Sequence, residues 1–435
     1  MRFTYALDER PPLKEWLLFG LQWFAITIPT VIIMGKIVST LHCADTTHQV
    51  AYLQKLCFVM GLGLLAEIWW GHRLPLVIGP AAVLLVGVTT SHGADVDTIY
   101  SSILIGGAVV TLVSVTRISS RLQRLFTPRV IAVVLLLIAF TLTPTILQLI
   151  VSGPPGAALG KLCFCLLFLV VSFLVYRRLS GIWKSTYILW AMLVGSLLHF
   201  ALFPGGVFQQ VPGREGLAAP FWRDLTTRIS LDPGVLVSFL FCYLALFIND
   251  MGSIQSMDEL LHPGDMPRRI TRGMTITGLA NILSGLLGVI GPVNYSLSPG
   301  VIVSTGCASR LALIPAGLAL LVLSVSPAAI GLLGSVPSVV IGSVLLFVLC
   351  AQFAAGMMVV HESKEGFDFD TGLVLGLPIL LGTIVAFLPA PVIEAFPGVL
   401  RPVLGNGFVV GVVMALVLEH GVFRGRAADN TTGQR

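Results

Sequence analysis

The sequence predicts an all-α polytopic membrane protein, with fourteen transmembrane spans arranged as a seven-plus-seven inverted repeat. Three observations carry this expectation. Of 435 residues, 56% are apolar and 11% charged, and the mean hydropathy is +0.94, whereas a soluble domain carries about 25% charge. The apolar residues fall in continuous runs, not in the ten-residue alternating segments of a transmembrane barrel. Two short runs are broken by Gly79-Pro80 and Pro299-Gly300, at corresponding places in the two halves. Composition thus excludes a soluble enzyme, a nucleic-acid binder and a disordered chain.

The runs lie at about 16–38, 51–70, 74–88, 98–116, 129–151, 157–176, 184–203, 233–256, 273–291, 295–309, 311–331, 337–360, 370–389 and 402–423. Most reach the ~20 residues that cross a bilayer; the third and tenth are shorter. Arginine and lysine set the orientation. With both termini cytoplasmic, the inner segments hold nineteen of them, including Arg117, Arg121, Arg124 and Arg129. The outer loops then hold Arg214, Arg223, Arg228 and Arg401, while Lys36, Lys55 and Lys161 fall near outer ends and can snorkel. Residues 1–15 carry Asp8, Glu9 and Glu15 and do not read as a cleavable signal, so the first run is expected to be an uncleaved anchor. The seven cysteines are scattered through apolar runs, apart from Cys43, and read as small apolar filler, with no disulfide framework and no metal site.

The repeat shows in the numbering. Runs one and eight begin at 16 and 233 (233 − 16 = 217), and the breaks fall at Pro80 and Pro299 (299 − 80 = 219). Seven spans per half is odd, so the second half is inverted. Proline lacks an N–H and drives the residue before it towards extended backbone. Leu74–Gly79 and Pro292–Ser298 are therefore expected to run extended before half-helices that begin at Gly79-Pro80 and Pro299-Gly300. Such amino termini aim unpaired N–H groups and partial positive charge at a midplane cavity. Alternatively, these prolines merely kink ordinary helices.

Asp250 is the one acidic residue well inside a span. A carboxylate at depth marks an ion or substrate path and makes a proton carrier; alternatively, it caps its helix or pairs with Arg268. Asn249 and Ser253 share a helix face and can hydrogen-bond a ligand or a neighbouring helix. Glu67, beside Trp69, Trp70, His72 and Arg73, reads as an interfacial anchor with a local ion pair. His199 reads as a buried polar contact. Gln22 and Trp23 mirror Asn249 and Asp250 in the repeat, and Trp23 can stack on a planar ligand or simply fill the core.

Leu7-Asp8-Glu9-Arg10-Pro11-Pro12 leading to Gly20-Leu21-Gln22, Leu74 to Gly79, Tyr295 through Gly300-Val301-Ile302, and Val336 to Gly342 together resemble the nucleobase–ascorbate transporters, or nucleobase/cation symporters. The resemblance runs nearly the whole chain. It implies a core of 1–116 (spans 1–4) and 233–331 (spans 8–11). It also implies a gate of 117–203 (spans 5–7) and 332–423 (spans 12–14), an outer loop at 204–232 and a cytoplasmic tail at 424–435. The function it implies is proton-coupled uptake, by alternating access, of a planar uracil- or xanthine-like base across the inner or plasma membrane. Sodium is the other candidate coupling ion. A homodimer through the gate is implied, and neither enzymatic activity, cofactor, metal nor nucleic acid.

Carried over by position, the base would meet the backbone of Ala82 and Ser296, the side chains of Asn249, Ser253 and Ser298, Tyr295, and Trp23 as a wall, with Asp250 as the proton-responsive group. The sequence departs from the family pattern at Gln22-Trp23 for Gln-His, at Asn249 for the span 8 glutamate, and at Leu297-Ser298-Pro299-Gly300 in span 10. Those departures, with two positive half-helix ends, make an anion transporter of the sulfate/bicarbonate kind on the same fold the nearest rival; an ion channel is the rival from another class.

Overall fold

The computed structural model describes residues 3–43, 45–91, 93–116, 125–152, 155–203, 224–295, 298–361, 367–397 and 400–423. Among the described residues, the chain is helical in its regular structure apart from one small sheet and a single bridge between Tyr5 and Cys307. In order it forms α1 (Leu13–His42), α2 (Thr46–Trp69), β1 (Ile78–Pro80), α3 (Ala82–Thr90), α4 (Val96–Val115), α5 (Pro128–Thr141), α6 (Thr143–Val151), α7 (Ala158–Arg178), α8 (Gly181–Ser185) and α9 (Tyr187–Leu202). There follow α10 (Pro233–Leu261), α11 (Met266–Leu287), β2 (Pro292–Asn294), α12 (Ser298–Thr305), α13 (Ile314–Ser324), α14 (Pro327–Leu333), α15 (Ser338–His361), α16 (Phe369–Ala386), α17 (Ala390–Glu394), α18 (Arg401–Leu404) and α19 (Gly407–Val417).

Among the described residues, eight helices are long and apolar enough to cross a membrane, counting α5 with α6 as one. This is a multi-pass membrane protein. A ninth segment, Arg310–Leu333, passes the same test only as a pair of helices bent by 103°. The eleventh apolar run is therefore broken rather than straight. The reason is local: Pro327 cannot continue α13, and the Ser326 side chain accepts from Ala329 N–H to start α14 afresh. Other helix starts are set in the same way. Asp232 caps α10 through Val235 N–H at 2.9 Å, and Asn406 caps α19 through Phe408 N–H at 3.0 Å.

The helices pack as two groups. One holds α1, α2, α3, α4, α10, α11 and α13 around the sheet; the other holds α5, α6, α7, α9, α15, α16 and α19. They meet where α1 touches α9, α3 touches α5, α12 touches α8, and α10 touches α18 and α19. Among the described residues, two side-chain hydrogen bonds cross this seam: Gln22 Nε2 to Ser185 Oγ (3.0 Å) and Asn406 Nδ2 to Ser238 Oγ (2.9 Å). The carboxyl end of α1 and the amino end of α10 gather at the start of α4. There His42 meets the Tyr100 hydroxyl and Thr98 meets Ser230. α1 and α10 thus run in opposite directions.

Inside the first group, α4 and α11 approach backbone to backbone. A β-carbon on Gly107 would stand 2.7 Å from Ile282 N and 2.8 Å from Gly278 O, and one on Gly285 would stand 2.6 Å from Leu104 N. Small residues give apolar helices this contact in a membrane, where lipid tails compete for every larger side chain. Gly107→Val forces two main chains apart, which costs about 1–3 kcal/mol or more. The expected result is a lower melting temperature and loss of the monodisperse peak in detergent; a variant that melts with the wild type would sink the packing argument.

Lys55 does not snorkel. It is buried on α2, and its ammonium donates to Asp224 O at 2.9 Å. Of the cysteines, Cys57, Cys165, Cys242 and Cys307 are buried filler, whereas Cys163 and Cys350 are exposed.

Candidate substrate and coupling site

The sheet comes first, because it places everything else. β1 and β2 pair antiparallel with Ile78 opposite Asn294, Gly79 opposite Val293 and Pro80 opposite Pro292. The pairing extends through Ala81 N–H to Gly291 O and Tyr295 N–H to Val77 O, both 2.9 Å. The prolines keep these segments extended, and their lost N–H groups are not needed in a two-stranded ladder. Gly79 is required by close approach: a β-carbon there would lie 2.5 Å from the Tyr295 ring, whose hydroxyl donates to Pro80 O at 2.9 Å.

Each strand leads into a short helix. α3 begins at Ala82, so Gly79 and Pro80 sit in β1, ahead of the helix they were expected to start. The pairing with β2 holds the chain extended for those extra residues. In α12 the expectation fits more closely, since Pro299 and Gly300 follow Ser298 in its first turn. Ala82 is half-buried. The first N–H groups of any α-helix lack an intrahelical partner. Ser296 lies outside the described residues.

On α10, successive residues are about 100° apart. Ser238, Asn249 and Gly252 consequently fall within about 60° of one another. Ser238 meets Asn406 across the seam, so this face looks at the second helix group. Asn249 is half-buried, and its side chain has no hydrogen-bond partner among the described residues. A β-carbon on Gly252 or on Gly300 would meet nothing within 4 Å. Each of these two positions therefore borders open space, and α10 and α12 pack on one another.

Asp250 looks elsewhere. It is fully buried, and Oδ1 accepts from Asn294 N–H and from Asn294 Nδ2, both at 2.8 Å. Oδ2 has no partner among the described residues. Arg268 lies beside Asp265 instead. The predicted ligands Ser253 and Ser298 are taken up by backbone. Ser253 Oγ lies 2.9 Å from both Asn249 O and Asn294 O; Ser298 Oγ accepts from Val77 N–H at 3.1 Å. Trp23 is buried in the core of the first group.

Three residues that sequence reasoning did not assign to the site join Asp250. Glu67, far from anchoring an interface, is 1% exposed, against 65% for Trp70 three residues later. Its Oε1 accepts from Thr277 Oγ at 3.2 Å, and its Oε2 from His72 N–H at 3.1 Å. His72 is fully buried; Nδ1 accepts from Leu74 N–H at 2.9 Å, which leaves the ring proton on Nε2. Nε2–H points to Asn294 Oδ1 at 3.1 Å and lies 3.5 Å from Glu67 Oε2. Asn294 thus receives from His72 and donates to Asp250, which fixes its amide orientation. A histidine and an asparagine beside prolines were the available signals.

The groove of about 290 Å³ between α4 and α10 is a different feature. Val109, Val113, Leu240, Phe241, Leu244 and Phe247 line it, and it offers no free polar group to a heterocycle, since the Tyr243 hydroxyl is engaged by Asn281.

Residues 14–391 match the family Xan_ur_permease, described as a permease family. The chain belongs to it. This is the nucleobase–ascorbate transporter family. A "Putative purine permease YwdJ" of Bacillus subtilis is 24% identical to this permease, over 94% of this chain and 97% of its own. A "Xanthine permease" of the same organism is 26% identical, covering 91% and 89%. Among solved structures, the transmembrane domain of the cyanobacterial bicarbonate transporter BicA superposes with a TM-score of 0.56 at 14% identity, over 94% of this chain and 97% of that one. The permease therefore shares that fold, and its relatives are transporters rather than enzymes.

Proposed function

We propose that this permease is a secondary active transporter that takes up a planar nucleobase, xanthine- or uracil-like, with protons. The observation that carries this reading is the face of α10 bearing Asn249 and Gly252. That face also carries Ser238 to the seam between the two helix groups, and α10 packs against the half-helix that begins at Ala82. An amide side chain and unpaired helix N–H groups can both pair with the edge of a heterocycle. The names of the relatives support a purine-type base.

In this reading the chain has fourteen spans in two inverted halves, with both termini cytoplasmic. The moving core is 1–116 with 233–331, and the gate is 117–203 with 332–423. The two packing groups and the seam between them support that division. Asn249 and the backbone of Ala82 and Ser296 read the base, Tyr295 and Gly300 shape the cavity, and Ser253 and Ser298 hold the crossing strands. The exposed apolar faces of α7 and α16 suit lipid and a second copy of the gate.

Purified protein is tested by thermal shift and by uptake into proteoliposomes, at two pH values, with uracil, xanthine, uric acid, adenine, ascorbate, sulfate and bicarbonate. Stabilisation by one base and its saturable, gradient-driven uptake are expected. Response to sulfate or bicarbonate alone would replace this reading with anion transport, which the two helix amino termini would also serve. Single-channel currents would replace it with a channel.

A further inference from the structure

We propose that Glu67 and Asp250 form one proton-binding unit behind the substrate cavity, so that the coupling proton belongs to the pair rather than to Asp250 alone. The inference rests on the transport reading above and adds residues to it.

The geometry is a closed polar island. Asp250 Oδ1 accepts from Asn294 Nδ2, which also reaches Thr277 Oγ at 3.4 Å, and Thr277 donates to Glu67 Oε1. On the other side His72 Nε2–H spans Asn294 Oδ1 and Glu67 Oε2. Two links therefore join the carboxylates, and Asn294 and Thr277 feel the charge on both. Asp250 Oδ2 is buried without a partner among the described residues, which leaves room on the pair for one more O–H.

The charges facing the island do not neutralise it. From the α2–β1 loop, His72 is held neutral by Leu74 N–H, and Arg73 turns back to Trp69 O. From α11, Arg269 donates to the carbonyls of His72 and Arg73. From the α12–α13 connection, Arg310 is engaged by Asp8 and by Ile68 O. Across all these elements, the basic side chain within 4 Å of either acid among the described residues is the neutral His72, whose Nε2 lies 3.5 Å from Glu67 Oε2. Two anions in one low-dielectric site without a cation cannot both stay ionised, and such groups titrate as a unit. The proton adds to a carboxylate oxygen and leaves from one; no other bond changes.

The pair lies on α2 and α10, within the same helix group as the strands, and Ser253 ties α10 to β2. Protonation can therefore reach the half-helices through β2 without touching the base itself.

The test uses the full chain in proteoliposomes, with radiolabelled xanthine and uracil as probes and an imposed pH gradient. Glu67→Gln is expected to keep exchange of base across the membrane within about twofold while gradient-driven accumulation falls about tenfold or more. Asp250→Asn is expected to do the same, and the double variant no worse than either. Wild-type accumulation by Glu67→Gln, parallel loss of exchange and accumulation, or additive losses in the double variant would each overturn the pair. Infrared difference spectra of the wild type against pH supply a readout that needs no substrate. One protonated-carboxyl band should vanish in both single variants, and persistence in either overturns the proposal. If the wild type moves neither base, the transport reading fails while the infrared result still decides the pair. Should Glu67→Gln not fold, Thr277→Val keeps both acids and cuts the hydroxyl between them; it should move the pH at which the band disappears, and an unmoved midpoint is contrary.

Discussion

Asn294→Leu should abolish accumulation of substrate and lower the melting temperature more than any other single change at the site. The side chain is fully buried, and its amide is the shared partner of His72 and Asp250. Leucine keeps the same branching at Cγ but supplies no donor or acceptor. A hydrogen bond to a charged group contributes about 1.5–3 kcal/mol, and a buried donor left unsatisfied costs about 1–3 kcal/mol. With His72 Nε2–H left only its 3.5 Å approach to Glu67 Oε2 and Asp250 keeping only the Asn294 main-chain N–H, the combined loss is about 3–5 kcal/mol. Asn294→Gln should not rescue it, because the extra methylene has no space in a fully buried position. Melting followed by tryptophan fluorescence, with uptake in the same preparation, checks this. A leucine variant that melts and transports like the wild type would remove the polar island from both stability and function.

Asn249→Leu should act in the opposite way: binding falls and stability does not. Asn249 is half-buried with no side-chain partner among the described residues, so nothing inside the protein is left unsatisfied when its amide goes. A bound base would lose one or two hydrogen bonds, about 1.4–3 kcal/mol, or roughly 10- to 100-fold in Kd. Gly252→Phe, placed where a β-carbon meets nothing within 4 Å, should block the same space without disturbing the fold. Equilibrium binding and melting curves on the two variants provide the check. Unchanged binding in both would move the substrate away from this face of α10.

Much of the architecture was legible in the sequence, because length and hydropathy alone decide where a helix can cross. The proline-broken segments were legible too, since a missing N–H forces extended backbone wherever it falls. The bend between α13 and α14 was hidden because Ser326-Pro327 sits inside an otherwise apolar run. The site was half legible. Asp250 announced itself as a carboxylate at depth, but which way it faced depended on which neighbours packed on α10, and it faces Asn294 rather than the seam. Glu67 was misread because Trp69, Trp70 and Arg73 mark an interface; the helix turns about 100° per residue, so a carboxylate among them can still point inward. Asn294 belongs with Glu67 and His72 only because β1 crosses β2, and no local pattern encodes a contact between residues more than two hundred positions apart.

The two hydrogen bonds across the seam have a practical consequence. Gln22–Ser185 lies towards the amino end of α1 and Asn406–Ser238 towards the amino end of α10, and those helices run oppositely, so the bonds fasten the two groups at opposite mouths of the permease. Each contributes about 1 kcal/mol, roughly a fivefold weight in a population. Under the alternating access that uptake of this kind requires, and which is proposed above, the two bonds are one small weight on each pan of a balance. Ser185→Ala and Ser238→Ala would tilt it in opposite directions, giving a matched pair of conformationally biased proteins for trapping each open form.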